Sequence, residues 1–181
     1  MERIVLMQGR FAALAGLLGL AFFAACAGPS ESTTTEIVSS SDSALALLSN
    51  SPVDMDGNPL ALEVGLAAGR PLVLVFWQSW CESCLKEAPG LGRAARSLRG
   101  KVDFLGVVPG QDGAVDEDRV RQISDELGMP YAHLRDRTLE WTRTFKVDGT
   151  PTMIALGARG NVIWRGNHAP KDWKSVLHLG F

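Results

Sequence analysis

The sequence predicts an α/β fold, a central mixed β-sheet flanked by helices on both faces, with a short N-terminal β-hairpin as an extension. Three observations carry that expectation. The run Leu72-Val73-Leu74-Val75-Phe76-Trp77 is apolar at every position and too short for a helix, so it reads as a strand buried on both faces. Longer amphipathic stretches, Glu82 to Leu98 and Asp116 to Leu127, alternate with such runs. The order then changes from strand–helix–strand–helix to strand–strand–helix, which implies one sheet between two helical layers.

Residues 1–25 read as a targeting segment. A head carrying Arg3 and Arg10 leads into the uncharged run Phe11 to Ala25. That run is shorter than the ~20 apolar residues that cross a bilayer and suits a signal peptide. It ends in Phe23-Ala24-Ala25-Cys26, which resembles a bacterial lipobox, with Phe23 where an aliphatic residue is usual. The resemblance implies cleavage before Cys26 and lipid attachment to its thiol. Ordinary secretion and an uncleaved anchor are the alternatives; all three put the working domain outside the cytoplasm. Residues 26–51 are rich in Ser and Thr, bury too little apolar surface to offset ordering entropy, and read as a flexible tether. One helical turn at Ala44 to Leu48 is the exception.

The domain proper is expected over residues 52–181. Val53 to Asn58 contains an Asp-Gly turn signal joining two short strands. After the loop Ala68 to Pro71 and the strand to Trp77 comes the helix from Glu82 to Leu98, which Pro89 should kink and Gly100 close. Val102 to Val108 is a second buried strand. The next helix, Asp116 to Leu127, lines up Val120, Ile123 and Leu127 and ends at Gly128-Met129-Pro130. A short strand over Tyr131 to Leu134 and a short helix over Thr138 to Phe145 follow. Thr152 to Leu156 and Val162 to Arg165 form a hairpin through a glycine-bearing turn, and Asp172 to Leu179 closes the chain as a helix.

Composition narrows the function. A hydrophobic fraction of 46% supports a core, while a net charge of −2 offers no basic footprint for a phosphate backbone and argues against nucleic acid. Three cysteines, Cys26, Cys81 and Cys84, are too few for a disulfide scaffold.

Cys81 and Cys84 lie where a buried strand gives way to a helix, the end of an open α/β sheet at which ligands bind. A cysteine there meets the positive end of the helix dipole and unpaired N–H groups, which stabilise a thiolate. Cys84 sits one turn on, close enough to form a disulfide with it. A bridge closing so short a loop adds little stability. Zinc would need two more ligands, and His133, His168 and His178 are scattered, so no metal is assigned. A redox pair that needs no other cofactor is the remaining reading.

The segment Phe76-Trp77-Gln78-Ser79-Trp80-Cys81-Glu82-Ser83-Cys84-Leu85-Lys86-Glu87-Ala88-Pro89 resembles the active-site region of the TlpA/ResA-like branch of thioredoxin-fold proteins. Asp136, the Thr150-Pro151 pair and the glycine-bearing hairpin extend the resemblance from about Pro52 to Asp172. It implies an extracytoplasmic reductant of envelope-protein disulfides, apocytochrome c among them, recharged by a membrane thiol donor. Pro151 corresponds to a cis-proline packed on the disulfide, and the backbone of Thr150 to a strand that pairs with substrate. Glu87, one turn beyond Cys84, matches a carboxylate able to take the Cys84 proton.

Three further residues tune or extend that site. The charge of Glu82 opposes a thiolate at Cys81 and favours a reducing couple. Ser83 replaces a common proline, which raises the potential somewhat. Trp80, beside Cys81, is a candidate substrate contact. Val75 stands where thioredoxin has a buried aspartate. An envelope oxidase or isomerase, and a copper-binding carrier of the same fold, are the alternatives to a reductase.

Overall fold

β1 (Leu72–Phe76) and β4 (Thr152–Leu156) are buried at all five of their positions in the computed structural model. Side chains that are apolar on both faces leave such strands no place but the middle of a sheet. β1 pairs in parallel with β2 (Asp103–Pro109) and antiparallel with β4. β3 (His133–Asp136) adds to β2 in parallel, and β5 (Val162–Gly166) to β4 antiparallel. The mixed sheet thus runs β3-β2-β1-β4-β5. Residues 42–180 are described; the segment read as a signal peptide, Cys26, and the tether up to residue 41 lie outside them.

Strand alternation sorts the core into two layers. Val73, Val75, Met153 and Ala155 face one side, with residues of α3 (Glu82–Ser97), α4 (Glu117–Glu126) and α6 (Trp173–Val176). Leu72, Leu74, Phe76, Ile154 and Leu156 face the other, against α1 (residues 42–49), α2 (Leu62–Ala67) and α5 (Glu140–Thr144). Both cysteines belong to the first layer.

Several expectations change. The tether ends earlier than residue 51: residues 42–49 are a helix, with Ala44, Leu47 and Leu48 buried in the second layer. Those three share one helical face, and the partly buried Leu45 packs against the same layer, which outweighs the Ser- and Thr-rich composition that precedes the helix. The N-terminal hairpin contracts to one isolated bridge, Val53 to Pro59, with Met55 N–H donating 2.8 Å to the His133 carbonyl at the sheet edge. α2 is an element that its short, irregular pattern did not announce. α3 is the single helix expected, with Pro89 inside it.

β3 lies two residues later than expected because two of its charges are buried. Arg135 donates to the carbonyls of Val108 and Gly110 at 2.6 and 2.9 Å and pairs with Glu117. Asp136 accepts the Trp141 and Thr142 N–H groups and caps α5. Hydrophobic patterning reads both residues as loop; hydrogen bonding is what makes them core.

The packing of α1 gives a measurable consequence. Leu48 is fully buried, so Leu48→Ala should destabilise the fold by about 2–5 kcal/mol. Urea unfolding measures this, and a loss below about 0.5 kcal/mol would remove residues 42–49 from the core.

Candidate active site

β1 delivers the chain to the carboxyl end of the sheet, where residues 77–81 turn into α3. Two side chains pin that turn. The Trp77 indole N–H donates to His133 Nδ1 at 3.1 Å. The buried Gln78 amide donates to the Pro109 carbonyl at the end of β2. Within the turn, Cys81 N–H donates to the Gln78 carbonyl at 3.1 Å.

Cys81 is the N-cap of α3, in extended conformation, and its sulfur accepts the Cys84 N–H at 3.2 Å. Sulfur here takes the place of the Ser or Asp oxygen that usually satisfies such a donor. Cys81 and Cys84 are joined by a disulfide across a Cα separation of 5.2 Å. The Ser83 hydroxyl lies 3.4 Å from Cys81 Sγ, a second donor within reach of that sulfur. On the opposite side, Cys81 Sγ is 3.4 Å from the Thr150 carbonyl, and the Thr150–Pro151 bond is cis. Both cysteines are buried, whereas Trp80 next to them is 74% exposed.

The acidic neighbours are differently engaged. Glu82 is solvent-exposed and pairs with Lys86 at 2.7 Å, so a counter-charge and water both dilute its field at Cys81. Glu87 is largely covered, and its carboxylate reaches the segment after β5: His168 Nδ1 at 2.9 Å and the Ala169 N–H at 3.0 Å. Val75 is buried in the same layer as the cysteines and presents no carboxylate to them.

The structure therefore brings Cys81, Cys84, Ser83 and Thr150-Pro151 to one point, places Trp80 on the adjoining surface, and ties Glu87 to His168. Cys26 lies outside the described residues. Gln78, His133 and His168 were not singled out by the sequence. Gln78 did carry a signal, as the first polar residue after an unbroken apolar strand. The partner of Glu87 lies 81 residues away, beyond any local pattern.

A profile of the family described as Redoxin matches residues 40–177. The chain belongs to the Redoxin family. Among curated relatives, thiol:disulfide interchange protein DsbE of Xylella fastidiosa (strain 9a5c) is 32% identical over 98 residues, covering 54% of this chain and 47% of that protein. Thiol-disulfide oxidoreductase ResA of Bacillus subtilis is 23% identical over 109 residues, 60% of this chain and 59% of that one. The chain spans about half the length of the curated relatives it matches. The solved structure of MTB dsbF in mixed oxidized and reduced forms superposes with a TM-score of 0.57 at 27% identity, over 74% of this chain and 93% of that one. The fold of this Redoxin chain is thioredoxin-like.

Burial lowers the His133 pKa from its ordinary 6.5 to about 4, the Asp56 charge opposing the shift only in part. Between those values the unfolded chain takes up a proton that the folded chain refuses. Stability is thus complete above pH 6.5 and falls as pH drops toward 4. His133→Asn should remove about 2–3 kcal/mol of that acid-side loss, seen by comparing urea midpoints of both proteins at neutral and acid pH. Parallel pH dependences would contradict the assignment.

Proposed function

We propose that this chain is an extracytoplasmic thiol–disulfide oxidoreductase that reduces disulfides in envelope proteins, apocytochrome c being one candidate substrate. The observation that carries the reading is the position of Cys81 Sγ, on an α3 N–H on one side and 3.4 Å from the Thr150 carbonyl on the other. Its similarity to the thiol:disulfide interchange protein DsbE and the thiol-disulfide oxidoreductase ResA supports the exchange chemistry.

In the reduced chain, the Cys81 thiolate attacks one sulfur of a substrate disulfide and expels the other as a thiolate. The mixed disulfide holds the substrate, whose extended backbone pairs along Thr150 while Trp80 offers apolar surface. Glu87 takes the Cys84 proton, and the resulting thiolate attacks Cys81 Sγ. The substrate leaves with its second thiolate, and the Cys81–Cys84 disulfide closes. No cofactor enters; a membrane thiol donor returns two electrons. A charged Glu82 favours the reducing direction, and the Ser83 hydroxyl moderates it by stabilising the thiolate. The signal segment directs export and is removed before Cys26, and a lipid on that cysteine then holds the domain to the membrane on the periplasmic side of the bacterial envelope. Among the described residues no helix is long and apolar enough to cross a membrane.

The direct test is trapping. Cys84→Ser should accumulate mixed disulfides with envelope proteins on non-reducing gels, and Cys81→Ser should accumulate none; equal trapping by both would sink the assigned order of attack. Glu87→Gln should slow turnover about tenfold or more, with a raised apparent pKa for the rate, and unchanged kinetics would remove Glu87 from the mechanism. Cys26→Ala should move the protein from the membrane to the soluble fraction, and unaltered partitioning would refute lipid attachment.

A further inference from the structure

β1 and β3 are not neighbours. Strand spacing separates them by about 10 Å, with β2 between. Yet Trp77, directly after β1, donates its indole N–H to His133 of β3. The contact passes over Gly106, which pairs with Val75 on one side and His133 on the other. A Cβ at Gly106 would fall 2.0 Å from His133 Nδ1 and 2.7 Å from its Cε1. The imidazole thus occupies the space that any other residue at 106 would fill.

We propose that His133 is a positioning residue for the Cys81 turn, acting through Trp77. Indole is a donor only, so Nδ1 must be an acceptor and the neutral ring carries its proton on Nε2. Burial keeps the ring neutral at ordinary pH, so the acceptor is always available. Trp77 shares its core layer with both cysteines, and the chain reaches Cys81 only four residues later. With the indole fixed at one end and the Gln78–Pro109 hydrogen bond beside it, the turn holds Cys81 Sγ on the Cys84 N–H when the disulfide opens. Loss of the acceptor frees the indole and loosens that cap. The inference rests on the exchange function proposed above, but its readout does not.

The experiment uses the reduced protein and measures how fast Cys81 is alkylated by iodoacetamide across pH. His133→Leu keeps the branched shape and deletes the acceptor; His133→Asn places Oδ1 as many bonds from Cα as Nδ1. The leucine variant should show an alkylation pKa raised by about one unit, a tenfold loss of thiolate at neutral pH. The asparagine variant should restore the wild-type profile. Gly106→Ala should resemble the leucine variant, because it displaces the ring. Identical profiles for wild type and the leucine variant, or equal shifts in the leucine and asparagine variants, would overturn the proposal. A wild-type protein that alkylates as predicted but exchanges no disulfides would defeat the functional reading and leave the positioning role standing. Should Gly106→Ala fail to fold, the leucine–asparagine comparison decides alone.

Discussion

At the start of α3, a sulfur atom stands in for the oxygen that normally caps a helix. Cys81 Sγ receives the Cys84 N–H at 3.2 Å, and the remaining architecture serves to keep it there. β1, buried on both faces at the centre of the sheet, fixes where the chain emerges. Trp77 and Gln78 fix the direction in which it turns, through His133 and Pro109. β4, antiparallel to β1, brings the Thr150 carbonyl to the opposite side of the same sulfur. A thiolate formed at Cys81 therefore inherits a hydrogen bond and the positive end of a helix dipole from the fold itself.

Charge around the site is arranged so that neither acid stands alone. Glu82 spends much of its field on Lys86 in open solvent. Glu87 is drawn toward His168 and Ala169, which ties the second turn of α3 to the segment between β5 and α6. Glu87 itself lies three residues beyond Cys84 on the same helix. The hydroxyl of Ser83, 3.4 Å from Cys81 Sγ, acts in the opposite sense to the Glu82 charge.

The sheet and the cysteine pair were legible in the sequence because both are local patterns. β1 is an unbroken apolar run and β4 is one after its first residue, and β4 falls where the sequence puts it, Thr152–Leu156. α1 was legible only as the turn Ala44 to Leu48, because the Ser- and Thr-rich stretch before it masked the full helix that buries Ala44, Leu47 and Leu48. β3 was misplaced because Arg135 and Asp136 are buried charges satisfied by partners elsewhere in the chain. The same applies to the site. Cys81 and Cys84 announce themselves by spacing, whereas Trp77–His133 and Glu87–His168 join segments 56 and 81 residues apart. No periodicity encodes such pairs, and the vacancy at Gly106 acquires meaning only once three strands lie side by side.

The central claim is that this fold holds Cys81 and Cys84 as a reducing couple. The most direct measurement is its potential, obtained by equilibrating the purified protein against dithiothreitol redox buffers and following tryptophan fluorescence. The account predicts a single two-electron transition at about −250 mV or below, near the thioredoxin value of roughly −270 mV. A transition near −120 mV, in the range of the strong oxidant DsbA, would contradict it.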